Sequence, residues 1–129
     1  MILDTSAVLA VLRDENDGLS FADKIREADT CRMSAPSFVE LSMVLEATAG
    51  DTGILACDTF FRDNEILVEP FTEEHALAAR HGFSEYGKGR HPAGLNLGDC
   101  FSYALAKVTG EPLLFKGNDF RKTDVTPAA

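Results

Sequence analysis

Residues 1–12 read M-I-L-D-T-S-A-V-L-A-V-L, and this stretch decides the class of fold. Met1 to Leu3 is too short an apolar run for a helix, while Asp4-Thr5-Ser6 supplies the short polar side chains that cap a helix N-terminus. The pattern predicts a strand, then a helix through Ala7 to Leu12 that dissolves in the polar run Arg13 to Gly18. The alternation continues downstream. An amphipathic helix is predicted over Leu19 to Ala28 and a short strand over Cys31 to Ala35. Pro36, whose missing N–H suits a first helical position, opens a helix to Thr48, and Ala49-Gly50 caps it. A further helix over Thr52 to Asn64 leads into a strand, Glu65 to Glu69, stopped by Pro70. Glu73 to Tyr86 reads as helix and Gly87 to Gly94 as a loop, being too rich in Gly and Pro for regular structure. Asn96 or Gly98 opens a helix through Lys107 that Gly110 closes; Leu113 to Phe115 is a strand and Asp124 to Thr126 a last short one.

Strands alternating with helices predict right-handed crossovers and a parallel sheet covered on both faces. The expected class is therefore α/β: a three-layer α/β/α domain over residues 1–129, with a central, mainly parallel sheet of four or five short strands. Only the tail, Pro127 to Ala129, is expected to fray.

The 129 residues, 45% hydrophobic, suffice for one domain with a real core. Charge is uneven: residues 1 to 79 carry 5 Lys/Arg against 16 Asp/Glu, and residues 80 to 122 carry 7 against 4. An acidic protein is a poor non-specific binder of nucleic acid, because phosphate contacts rely on basic side chains displacing counterions. Cys31, Cys57 and Cys100 lack C-x-x-C spacing and read as reduced core thiols of a cytoplasmic protein. With no positive leader and no long apolar run, neither a signal peptide nor a membrane span is expected.

Three carboxylates stand out. Asp4 falls at the carboxyl end of the first strand, where open α/β sheets place ligand sites, although capping the next helix would also explain it. Glu40 sits in Phe38-Val39-Glu40-Leu41-Ser42-Met43-Val44-Leu45, apolar in nearly every direction and so read as a largely buried helix. Asp99 lies among apolar residues in the first turn of its helix, where the dipole favours an acid. A partly buried carboxylate costs several kcal/mol unless paired or coordinated, and the local segments offer no basic partner. Three such acids suit a hard divalent cation, Mg²⁺ or Mn²⁺, able to support attack of water on a phosphodiester. His75, His81 and His91 form no H-E-x-x-H pair, and neither G-x-G-x-x-G nor G-x-x-x-x-G-K-[ST] occurs.

The segments I-L-D-T-S-A at 2–7, Glu40 after A-P-S-F-V, L-N-L-G-D-C-F-S-Y-A-L-A at 95–106 and L-L-F-K-G-N-D-F at 113–120 together resemble the VapC toxins of bacterial toxin–antitoxin pairs. The resemblance covers nearly the whole chain. It implies a PIN-domain fold, Mg²⁺-dependent endoribonuclease activity, inhibition by a VapB-like antitoxin that inserts a peptide near the active site, and homodimers that join antitoxin in larger complexes. By position, Asp4, Glu40 and Asp99 match the family's acidic triad, with Asp4 and Asp99 as direct metal ligands and Glu40 binding metal or orienting water. The fourth acidic position falls at Asn118-Asp119: either Asp119 serves it or Asn118 acts as a neutral ligand, and the pair would also make an ordinary turn. Thr5 and Ser6 are candidates to touch Asp4 or a phosphate. Arg90 and Lys116, within the basic set Lys88, Arg90, His91, Lys116, Arg121 and Lys122, are candidates to hold RNA phosphates. Two alternatives remain open: another α/β phosphohydrolase, against which Ser6 replaces the usual second aspartate, and a non-catalytic PIN-like interaction module.

Overall fold

The computed structural model describes residues 1–129. Its strands are β1 (Ile2–Leu3), β2 (Arg32–Ser34), β3 (Leu67–Glu69) and β4 (Leu113–Leu114); its helices are α1 (Thr5–Leu12), α2 (Gly18–Glu27), α3 (Ala35–Asp63), α4 (Glu73–Tyr86) and α5 (Leu97–Thr109). The strands form one sheet in the order β3-β2-β1-β4, every neighbouring pair parallel. Ile2 is in register with Arg32 on one side and Leu113 on the other.

Strands this short work because successive side chains enter opposite cores. Ile2 and Leu113 pack into one cluster with Leu95, Tyr103 and Leu105, under α4 and α5. Leu3 and Leu114 pack into the other with Val8, Phe21, Ile25, Leu41 and Phe61, under α1, α2 and α3. All four strand residues are fully buried, each worth roughly 2 kcal/mol of removed apolar surface. The result is the three-layer α/β/α arrangement.

Three details differ from the sequence reading. The two helices predicted on either side of Gly50 abut directly within α3, because Gly50 alone breaks the helix, at φ 57°, ψ −143°, a conformation other residues adopt only under strain. No strand forms at Asp124 to Thr126, so the sheet has four strands. Instead an isolated parallel bridge joins Leu113 and Pro127, and the Ala128 N–H donates to the Leu113 carbonyl at 2.9 Å, which pins the tail expected to fray. Finally, the early part of α3 is not buried all round: Val39 and Met43 are 54% and 65% exposed, and Glu40 is exposed between them. The all-round apolar pattern reads as burial only if something packs on the outer face, and no part of this chain does.

The topology also locates a crevice. From β1 the chain builds outward through β2 and β3 on one side, whereas β4 joins β1 on the other. Outside the carboxyl ends of β1 and β4 the strand order reverses, and there an α/β sheet leaves room for a ligand.

Candidate active site

Asp4 directly follows β1 at the end where the strand order reverses, and it is 6% exposed. It caps α1, its Oδ2 accepting the Ser6 N–H at 3.0 Å and the Ser6 hydroxyl at 2.5 Å. The other oxygen, Oδ1, accepts the Ser102 hydroxyl from α5 at 2.6 Å. Capping and site membership are thus not competing accounts of Asp4: the cap fixes one carboxylate oxygen and α5 fixes the other.

Asp99 occupies the third position of α5 in a capping box, its Oδ2 accepting the Asn96 N–H at 3.1 Å while Asn96 Oδ1 accepts the Asp99 N–H at 2.9 Å. The helix terminus does not dominate its electrostatics. Burial pushes the Asp99 carboxyl from an ordinary 3.8 up to about 6, against the pull of the Asn96 N–H, and the charges of Asp4, Asp119 and Glu40 push it the same way. Four acids therefore share one neighbourhood, and none of them is in an ion pair.

Glu40 reaches the crevice from α3. Its carboxyl lies against the first turn of α5, where a Cβ built on Gly98 would stand 3.0 Å from Glu40 Cδ. Only glycine admits this approach. After β4, Asn118 and Asp119 open a short 3₁₀ turn, Phe120–Lys122, with the Arg121 N–H donating to the Asn118 carbonyl at 3.1 Å. Asp119 is the member of the pair whose charge acts on Asp99; Asn118 instead lines a neighbouring hollow of about 400 Å³ with Asp17, Ser20 and Arg121.

The remaining candidates divide. Ser6 is central, donating to Asp4 and accepting the Lys116 N–H at 3.0 Å, which ties α1 to the segment after β4. Thr5 is buried and turned inward, its hydroxyl donating to the Ser37 carbonyl at 3.4 Å. The Lys116 ammonium is paired with Glu15. Arg90 is exposed on its loop, its guanidinium stacked 5.3 Å from the Phe83 ring centroid, and Arg121 is similarly held over Phe115. Sequence reasoning missed Ser102, Ser37 and Gly98. Ser102 had a signal: it lies three residues beyond Asp99, on the same helical face, within an otherwise apolar run.

The donor set is chemically that of a hard divalent cation, being all carboxylate oxygen with no competing ammonium or guanidinium. No three acidic, histidine or cysteine side chains converge in a ready-made coordination sphere. Asp4 and Asp99, whose charges act on one another, are the pair that could hold such an ion, with water as its other ligands.

Beside the acids the surface is apolar. One hollow of about 540 Å³ is lined by Pro36, Val39, Glu40, Met43, Val44 and Phe101. Across Phe101 a second, of about 530 Å³, is lined by Phe71, Ala79, Phe83, Leu97 and Cys100 among others. No helix is long and apolar enough to cross a membrane.

A family model described as PIN domain matches residues 1–125. The ribonuclease VapC28 of Mycobacterium tuberculosis is 48% identical over 129 residues, covering 99% of this chain and 97% of the relative. A ribonuclease VapC of Mycolicibacterium smegmatis is 45% identical over 125 residues, covering 97% of each. Among solved structures, Mycobacterium tuberculosis VapC20, a sarcin-ricin loop cleaving toxin, superposes with TM-score 0.73 at 15% identity, covering 98% of each chain. Rickettsia felis VapBC2, bound to a DNA fragment from its promoter, gives 0.74 at 14% identity, covering 98% of this chain and 95% of that one. At these identities the solved structures speak to the fold alone.

Proposed function

This chain belongs to the VapC branch of the PIN-domain family, and we propose that it is a Mg²⁺-dependent endoribonuclease, the toxin of a VapBC-type pair, that hydrolyses RNA phosphodiester bonds. The observation that carries this reading is the gathering of Asp4, Glu40, Asp99 and Asp119 at one crevice with no cation among them.

Asp4 and Asp99 are the residues that would hold Mg²⁺, with Mn²⁺ as a substitute. When bound, the ion supplies charge neutralisation at the scissile phosphate and activation of water. The chain's own residues then divide the remaining work. Asp4 presents a carboxylate whose orientation is set from α1 and α5. Glu40, exposed and free of ion pairs, is the group available to orient the attacking water or take its proton. Asp119 completes the acidic rim.

RNA is held at the rim by the exposed basic residues. Lys88, Arg90 and Lys122 are exposed and outside any ion pair, while Lys116 must leave Glu15 to take part. The acidic remainder of the surface makes this binding local and steeply salt-dependent. The uncovered apolar hollows around Phe101 support a protein partner, a VapB-like antitoxin and a second copy in a larger complex, and the three unpaired cysteines suit the reducing cytoplasm.

The test is direct. Purified protein is expected to cleave RNA with Mg²⁺ or Mn²⁺, and to lose that activity with EDTA or in Asp99→Asn while keeping its circular dichroism. Equal cleavage by Asp99→Asn would remove the assignment.

A further inference from the structure

Of the acids in the crevice, Asp4 alone has both carboxylate oxygens held by hydroxyl donors, and one of those donors comes from a helix distant in sequence. Ser102 Oγ donates to Asp4 Oδ1 at 2.6 Å and is 1% exposed. Behind it Ser37 Oγ, fully buried on α3, lies 3.5 Å from Ser102 Oγ, and the Ser37 carbonyl receives the Thr5 hydroxyl. A hydroxyl in this setting has a cost: buried without a partner it loses about 1–3 kcal/mol of solvation, and alanine would fill the helix position without it. The hydroxyl is used because an acceptor faces it.

We propose that Ser102 is a positioning residue for the metal site: its hydroxyl, backed by Ser37, locks the rotation of the Asp4 carboxylate and leaves the one unused lone pair, on Oδ1, for a divalent cation. This rests on the metal-dependent reading above. An Asp side chain leaving a strand end has a broad, roughly two-fold terminal torsion. Ser6 restrains only Oδ2, about which the carboxylate still pivots; a second donor on Oδ1, delivered by the helix that also carries Asp99, removes that freedom. It also couples the two acids, since Asp99 and Ser102 ride on one rigid helix and any shift of α5 moves Asp99 and the grip on Asp4 together. Groups that orient a metal ligand without touching the metal typically alter affinity by about 10–100-fold.

The experiment is Mn²⁺ titration of the purified full chain, with free Mn²⁺ read by electron paramagnetic resonance, alongside melting in EDTA. Ser102→Ala is expected to weaken Mn²⁺ binding about 10-fold, with a melting temperature in EDTA within a few degrees of the parent. Ser102→Thr, which restores the hydroxyl, is expected to recover most of the affinity; Ser37→Ala, one step removed, should lose only about 2-fold. If Ser102→Ala does not fold, Ser102→Cys keeps the volume while its thiol donates weakly, and it should show the same loss. Mn²⁺ binding by Ser102→Ala or Ser102→Cys equal to the parent overturns the proposal while leaving the metal site intact. Failure of the unsubstituted protein to bind Mn²⁺ at all overturns the metal-dependent reading and this proposal with it.

Discussion

Replacing Asp99 by Asn should stabilise the fold while abolishing its proposed activity. The carboxyl is moved from 3.8 to about 6 by burial and by Asp4, Asp119 and Glu40. At about 1.4 kcal/mol for each pH unit, keeping it ionised at neutral pH would cost the folded state about 3 kcal/mol, which screening by the solvent that reaches this half-buried carboxyl cuts to about 1–2 kcal/mol. Asparagine escapes that cost but gives some back: its amide oxygen is a weaker acceptor for the Asn96 N–H, and a neutral side chain forgoes about 0.3–1 kcal/mol at a helix N-terminus. The net gain is about 1 kcal/mol, a rise in melting temperature of about 3–5 °C for a domain of this size. The sign with pH is determined. Between about pH 4 and 6 the folded protein binds a proton that the unfolded chain has released, so parental stability falls as pH rises through that window. The advantage of Asp99→Asn should therefore be small at about pH 4 and full above about pH 7. The assay is thermal unfolding of both proteins in EDTA across that range. An Asn variant that melts at or below the parent at about pH 8, or whose advantage is the same at both ends, would refute the reasoning. Adding Mn²⁺ should raise the parent and leave Asp99→Asn nearly unmoved, since only a ligand bound by the folded state stabilises it.

Gly98→Ala puts a methyl group where the Glu40 carboxyl now lies; that side chain can swing away, so melting should change by less than about 1 kcal/mol while RNA cleavage falls at least about 10-fold. Retained cleavage would show that Glu40 need not stand there. Gly50→Ala forces a non-glycine residue to φ 57°, ψ −143° and should cost about 1–3 kcal/mol in urea unfolding, with cleavage per folded molecule unchanged. Tyr103→Phe removes the hydroxyl that donates to Asp124 at 2.9 Å, leaving Lys107 to hold that carboxylate; chemical denaturation should report a loss of about 1 kcal/mol.

Much of this was legible in the chain. The two-residue strands could be read because each is a short apolar run bounded by polar or helix-starting residues, and the Asn96 to Asp99 capping box is a local spacing that needs no tertiary information. Asp99 was readable as an anomalous acid because it is the one charged residue in the mostly apolar stretch Leu95 to Ala106. Glu40 misled: its helix is apolar all round, but one apolar face meets solvent, and periodicity does not tell a covered face from an uncovered one. The Asn118-Asp119 ambiguity likewise lay beyond local pattern. Two adjacent polar residues in a turn point in different directions, and only the path of the chain after β4 brings the Asp119 charge to bear on Asp99 while Asn118 lines the adjoining hollow.

By itself, then, the sequence determined the layers and the alternation of strand and helix, and it singled out the candidate acids, because these depend on patterns a few residues long and on the cost of burying charge. Tertiary structure decided that β4 joins β1 on the side away from β2, and with that everything that makes a site: Asp4, Glu40 and Asp99, up to 95 residues apart in the chain, meet at a crevice that exists only where the strand order reverses. It also decided the orientation of Asp4, which is set by a serine 98 positions away. A hydrogen bond over that separation follows from how α5 packs on the sheet, and no local propensity encodes it.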